Sequence, residues 1–240
     1  MNRTKQIALL SGALVVLFGI ALGVVYLLDR GSPAEERPEP LEPLDLGAVI
    51  ATVNGQPVYL GEAESRIEGL TTLHGDLTGV LGEDWHEVIL GSLVSDQVLR
   101  AEAAARGIEV TDADIQSSVA DVQSMLGEGQ TLEGWLVDQE MTYAEFVRRI
   151  ELQLIGSRVY LAVTEDVSVS GKAIRDYYRE HQLEFQGADG HTSPLLEVRR
   201  SIRDTLLKQE RDQAYGEWLQ EQKDAAEVVV VLDDWWKDLT

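Results

Sequence analysis

The chain has 240 residues, enough for one or two domains, and 44 % of them are hydrophobic, so a sizeable core is available. Its 42 Asp and Glu outweigh 20 Lys and Arg, giving a net charge of −22 that repels phosphates and argues against a DNA or RNA role. Cysteine is absent, which excludes disulfides, thiolate metal sites, cysteine nucleophiles and lipid-modified cysteine anchors.

At the N-terminus, Arg3 and Lys5 precede an uncharged run from Ile7 to Leu28. At about 1.5 Å per residue the run covers roughly 33 Å, enough to cross a bilayer core. Asp29, Arg30 and Gly31 follow, with no small-residue cleavage site. Residues 1–30 therefore read as an uncleaved signal anchor with the span at 7–28; a cleaved secretory signal is the alternative. The positive-inside rule places Arg3 and Lys5 in the cytoplasm and the rest of the chain outside it. The expected location is the cell membrane, crossed once. Residues 31–46 hold Pro33, Pro38, Pro40 and Pro43 among Glu35, Glu36, Glu39, Glu42 and Asp45. That composition makes an extended spacer.

Residues 47–240 carry the folded part. Val49, Ile50 and Val53 form a strand pattern, Asn54-Gly55 signals a hairpin turn, and Val58-Tyr59-Leu60 resumes extended character. A helix is expected from Glu62 to about Leu73 and a longer one over 84–106, stopped by Gly107. Thr111 caps a helix carrying Ile115, Val119, Val122, Met125 and Leu126, and Thr131 opens a short one. Thr142 and Glu145 make a capping box for a helix through Leu161. Ala173 to about His181 is another helix, and Ser193-Pro194 starts one running to about Ala226. The closing Glu227–Leu232 run is β-prone, and a lone strand cannot persist in water. Its partners are the two strands at the start of the domain. The fold class is mainly α with a small β-sheet (α+β), in which the two ends of the domain meet.

No catalytic constellation emerges. His74, His86, His181 and His191 lack ligand spacing, and Glu83–Glu87 reads as an acidic helix start. Catalytic residues, metal ligands and cofactors are all expected to be absent. Met125, Leu126, Leu132, Trp135, Leu136, Met141, Tyr143 and Phe146 cluster within a short stretch, with Trp235 and Trp236 in the tail. Methionine and aromatic side chains suit a surface that accepts varied partners, although core packing is the plainer explanation for most of them; for the Trp235-Trp236 pair, packing on the sheet end, contact with a client and contact with the membrane interface all stay open. The abundant carboxylates could form a negative rim for basic clients.

The strings VIATVNGQPV, AEAAARGIEVTDADI, TYAEFVRRIELQLI, SVSGKAIRDYYREHQLEF and SPLLEVRRSIRDTLLKQERDQAYGEWLQEQKDAAEVVVV together resemble the SurA/PrsA family of extracytoplasmic chaperones. The resemblance covers essentially all of residues 48–232. It implies a helical chaperone module whose last helix and strand return to the first strand. In that family a parvulin isomerase domain is inserted before the last helix. Here the insertion would sit between Glu184-Phe185 and Pro194, a connection far too short for it. The implied function is binding of unfolded or newly exported polypeptides without catalysis. A dedicated interaction subunit of a membrane complex, and more remotely a prolyl isomerase, are the rivals. A homo-oligomer is left open.

Overall fold

A computed structural model describes residues 46–240, except residues 128, 187–189, 238 and 240 and the side chain of Leu73. The expected anchor over 7–28, and all but the last residue of the spacer, lie outside the described residues. Among the described residues, no helix is long and apolar enough to cross a membrane.

The folded part opens with a hairpin, β1 (Val49–Val53) and β2 (Gln56–Tyr59), paired antiparallel. Asn54 and Gly55 form its two-residue turn with φ of 50° and 77°. Both central residues at positive φ are what an Asn-Gly turn supplies at little steric cost. Six helices follow in unbroken sequence: α1 (Leu60–His74), α2 (Leu77–Leu81), α3 (Trp85–Arg106), α4 (Asp112–Met125), α5 (Leu132–Asp138) and α6 (Tyr143–Val163). After α7 (Gly171–Glu180) come a 3-10 turn (Gln182–Phe185), the long α8 (Leu195–Ala225) and β3 (Val228–Val230). β3 pairs antiparallel with β1, so the sheet order is β2-β1-β3 and the two ends of the folded part join. The α+β expectation holds.

The helix limits follow local chemistry. Gly107 ends α3 at φ 65°, where its N–H reaches back to the last turn. Thr111 and Asp114 make a reciprocal capping box on α4, and Thr142 and Glu145 make one on α6. The short α2 is absent from the sequence reading. Asp76 caps it, accepting from the N–H groups of Thr78 and Gly79.

The described chain divides into two compact units. The first holds everything through Val159 together with residues 222–240. Its main core joins Ile50, Ala51, Val53 and Val58 of the hairpin to Ala63, Ile67 and Leu70 of α1 and Trp85, Ile89 and Leu93 of α3. The second unit, Tyr160–Glu221, buries Thr164, Ile174 and Ile202. Within it Gln186 and Thr192 form an isolated antiparallel bridge, and the Tyr178 hydroxyl donates to the Ser193 carbonyl at 2.8 Å.

Candidate functional site

The first unit contains a second apolar cluster, built by α4, α5 and α6. Leu136, Phe146, Ile150 and Leu154 are buried at its centre. Around them Val110, Ile115, Val119, Val122, Leu132, Trp135 and Met141 are only partly covered. α4 is the telling element: its apolar stripe faces the cluster, yet none of its described residues is buried. A helix stripe that remains half-wet lacks part of its covering layer. Outside the residues packed on it, Met125 at the end of α4 is 60 % exposed and Val137 of α5 71 %. Tyr143 is also exposed, and its ring is tilted at 6.4 Å from Phe146. Trp135 meets Phe146 edge-on at 5.8 Å, one ring half-covered and the other buried. Leu126, just past the end of α4, is half-buried.

The expected site residues thus separate. Leu136 and Phe146 are core. Met125 and Tyr143 are exposed, and Leu126, Leu132, Trp135 and Met141 line the boundary. Val137 of α5 is a further exposed apolar residue that escaped the sequence reading, because its single position in a short helix carries no periodic signal. The tail tryptophans are elsewhere. Trp235 is 5 % exposed and sits in the main core, 6.4 Å from Trp85 in an edge-on contact. Trp236 stacks on the His86 ring at 3.9 Å and is half-buried. Both tail tryptophans therefore seal the sheet end of the first unit.

The segment that supplies most of the open cluster carries side-chain charge of one sign. From residue 107 to residue 147 the sequence contains no lysine or arginine but nine Asp and Glu. Asp112, Glu133, Asp138 and Glu140 are exposed among them. Asp114 is different. The Arg158 guanidinium, bonded to it at 2.6 Å, holds its carboxyl down at about 2, helped by the Thr111 hydroxyl and N–H. Arg158 also donates to the Glu109 carbonyl and so ties α6 to the α3–α4 connection and to the first turn of α4.

A polar network braces the same unit. Arg66 of α1 meets Asp96 of α3 at 2.5 Å, while Arg148 of α6 pairs with Glu62 of α1. Arg149 donates to both the carbonyl and the hydroxyl of Ser65 at 2.9 and 2.8 Å. Burial pushes the Asp96 carboxyl up and pulls Arg149 down. Each of these groups has a partner within the network. Among the described residues, no group of three or more His, Asp or Glu is placed to hold a metal ion. In the second unit a shallow pocket lined by Ile174, Arg175, Leu195 and Arg199 offers no nucleophile, acid or base. What the geometry can do is bury apolar side chains beside an acidic rim.

Comparison with known proteins bears on the family and the fold. A family model described as the SurA-like N-terminal domain matches residues 1–160. A foldase protein PrsA of Clostridium perfringens is 28 % identical over an alignment of 153 residues that covers 58 % of this chain and 44 % of the relative. Another strain's foldase PrsA is 26 % identical over 150 residues, again 44 % of its length. The chain thus spans less than half the length of the curated relatives it matches. A solved structure of one of two structurally related SurA-like chaperones of Campylobacter jejuni, the virulence factor PEB4 and a periplasmic protein, superposes with a TM-score of 0.54 at 10 % identity. It covers 77 % of this chain and the whole of that one, a likeness of fold alone.

Proposed function

We propose that this chain, which belongs to the family of SurA-like N-terminal domains, is a membrane-anchored holding chaperone that grips unfolded, basic-apolar polypeptides outside the cytoplasm without transforming them. The half-covered cluster of α4, α5 and α6 carries the reading. Its free energy source is burial of client apolar surface, roughly 25 cal/mol per Å² before the cost of ordering the client. Its wall is built for tolerance: a methionine, a valine and amphipathic aromatic rings can pack against many shapes. The acidic rim favours clients with lysine or arginine near their apolar segments and speeds their approach. Export and anchoring rest on Arg3 and Lys5 ahead of the apolar run at 7–28. The reading that clients are held without isomerase chemistry is supported by the brief connection between the 3-10 turn and α8.

The test is aggregation of a chemically denatured basic model protein, followed by light scattering with the full chain present in detergent. Suppression at a few-fold molar excess is expected. Val137→Glu and Met125→Glu should weaken it severalfold while leaving the thermal midpoint nearly unchanged, since both positions are exposed. Absence of suppression, or equal suppression by both variants, overturns the reading.

A further inference from the structure

We infer that the outer edge of β3 is a second docking element, which adds an extended, apolar client segment flanked by lysine or arginine as a fourth strand of the sheet. This inference rests on the reading that the chain holds polypeptides. In an antiparallel ladder, alternate residues bond to one neighbour and the others point away from it. The Val231 N–H donates to the Ile50 carbonyl and the Asn54 N–H to the Glu227 carbonyl, both at 2.8 Å. Residues 227, 229 and 231 therefore turn their backbone groups toward β1, and Val228 and Val230 turn theirs outward. Two N–H donors and two carbonyl acceptors stand in a row on an edge that no described strand covers.

The side chains beside that row are apolar. Val228, Val229, Val230, Val231 and Leu232 are all exposed, between 39 and 58 %. Sheet edges are usually blunted by lysine, proline or a bulge; from 228 to 230 this one carries none, and only past it, where the Val231 and Leu232 N–H groups share the Ile50 carbonyl, does a bulge end the ladder. Its charges stand at the two ends: Glu227 before it, Asp233 and Asp234 after it, all exposed, with Asp234 also paired to Lys237 at 2.8 Å. Those ends choose the occupant. A second copy paired antiparallel would set Glu227 against Asp233 and Asp234, and a parallel one would set like on like; either arrangement is repulsive. A client strand with an apolar centre and basic flanks meets a complementary charge at each end.

The probe is a fluorescent synthetic peptide of alternating valine and threonine between lysine pairs, measured by anisotropy against the full chain. Val230→Pro deletes an outward N–H and leaves the bonds to β1 in place, the one strand setting that proline tolerates. Binding is expected to fall at least tenfold in Val230→Pro, and equally when glutamate replaces the flanking lysines. Should the variant misfold, the same peptide N-methylated at alternate residues serves with the unaltered chain, where a tenfold loss is again expected. Equal binding in these comparisons overturns the edge proposal. If aggregation suppression persists while the edge comparisons show no difference, only the edge falls; if the unaltered chain neither suppresses aggregation nor binds the peptide, the holding function falls with it.

Discussion

Asn54 and Glu227, 173 residues apart, exchange two hydrogen bonds: the Asn54 N–H donates to the Glu227 carbonyl at 2.8 Å, and the Glu227 N–H donates to Asn54 Oδ1 at 2.9 Å. One side chain thus serves two ends of the folded part. It occupies the positive-φ position of the hairpin turn and captures the residue that leads into β3. Substituting Asn54→Gly keeps the turn and loses the side-chain bond, at about 1 kcal/mol. Asn54→Ala loses the bond and also strains the left-handed position, at about 2 kcal/mol. Urea denaturation of the two variants should show that order. Hydrogen exchange should report faster opening at Val229 and Val231 than at Ile89.

Much of this architecture is legible in the sequence because its signals are local. Asn54-Gly55 announces the hairpin, Thr142 and Glu145 announce α6, and Gly107 stops α3. The meeting of the two ends followed from a physical necessity, since the valine run had to find strands to pair with. Burial was less legible. Trp235 lies in a polar tail that suggests exposure, yet it fills the core beside Trp85, a contact between residues 150 positions apart that no local pattern encodes. Leu136 and Val137 are neighbours of similar hydrophobicity, and one is buried while the other is 71 % exposed. Which face of a seven-residue helix is covered depends on what packs on it.

The ion pair between Arg66 and Asp96 bridges α1 and α3 with both side chains largely covered. Burial raises the Asp96 carboxyl, so the charged form is held at a cost that Arg66 and Arg100 offset. Removing one partner exposes that cost. Arg66→Met, which strips Asp96 of that partner, and Asp96→Leu, which strips Arg66 of this one, are each expected to lose about 3 kcal/mol. The double replacement Asp96→Leu with Arg66→Met should recover most of it, because apolar side chains of similar size need no counter-charge. Thermal melts of the two single variants and the double variant provide the check.

Acid should loosen the α4–α6 contact in a defined window. Asp114 is held at about 2 by Arg158, below an ordinary carboxyl near 3.8. A depressed folded-state value means the contribution is complete above about pH 4 and is lost as the pH falls from about 4 toward 2. Water screens the pair, so its share is less than about 1 kcal/mol. The stability difference between the unaltered chain and Asp114→Asn should therefore shrink across that window in denaturant titrations at successive pH values. A difference that stays constant from pH 5 to pH 2 would remove Arg158 as its source.

Glu140 sits at φ 51° between α5 and α6, the left-handed region that costs a side-chain-bearing residue about 1 kcal/mol. Its conformation closes α5: the Met141 N–H reaches back to the Leu136 carbonyl at 3.0 Å, and the Glu140 N–H reaches that of Val137. Through this turn α5 holds the half-covered Trp135 edge-on against Phe146 of α6. Glu140→Gly relieves the strain and should raise the unfolding free energy by up to about 1 kcal/mol. The same change removes one charge from the acidic rim. If the rim recruits basic clients, the variant gains stability while its association with a lysine-rich unfolded chain slows, and the deficit vanishes at high salt. Stopped-flow association at two ionic strengths separates the two effects, and an unchanged rate at low salt would show that Glu140 takes no part in recruitment.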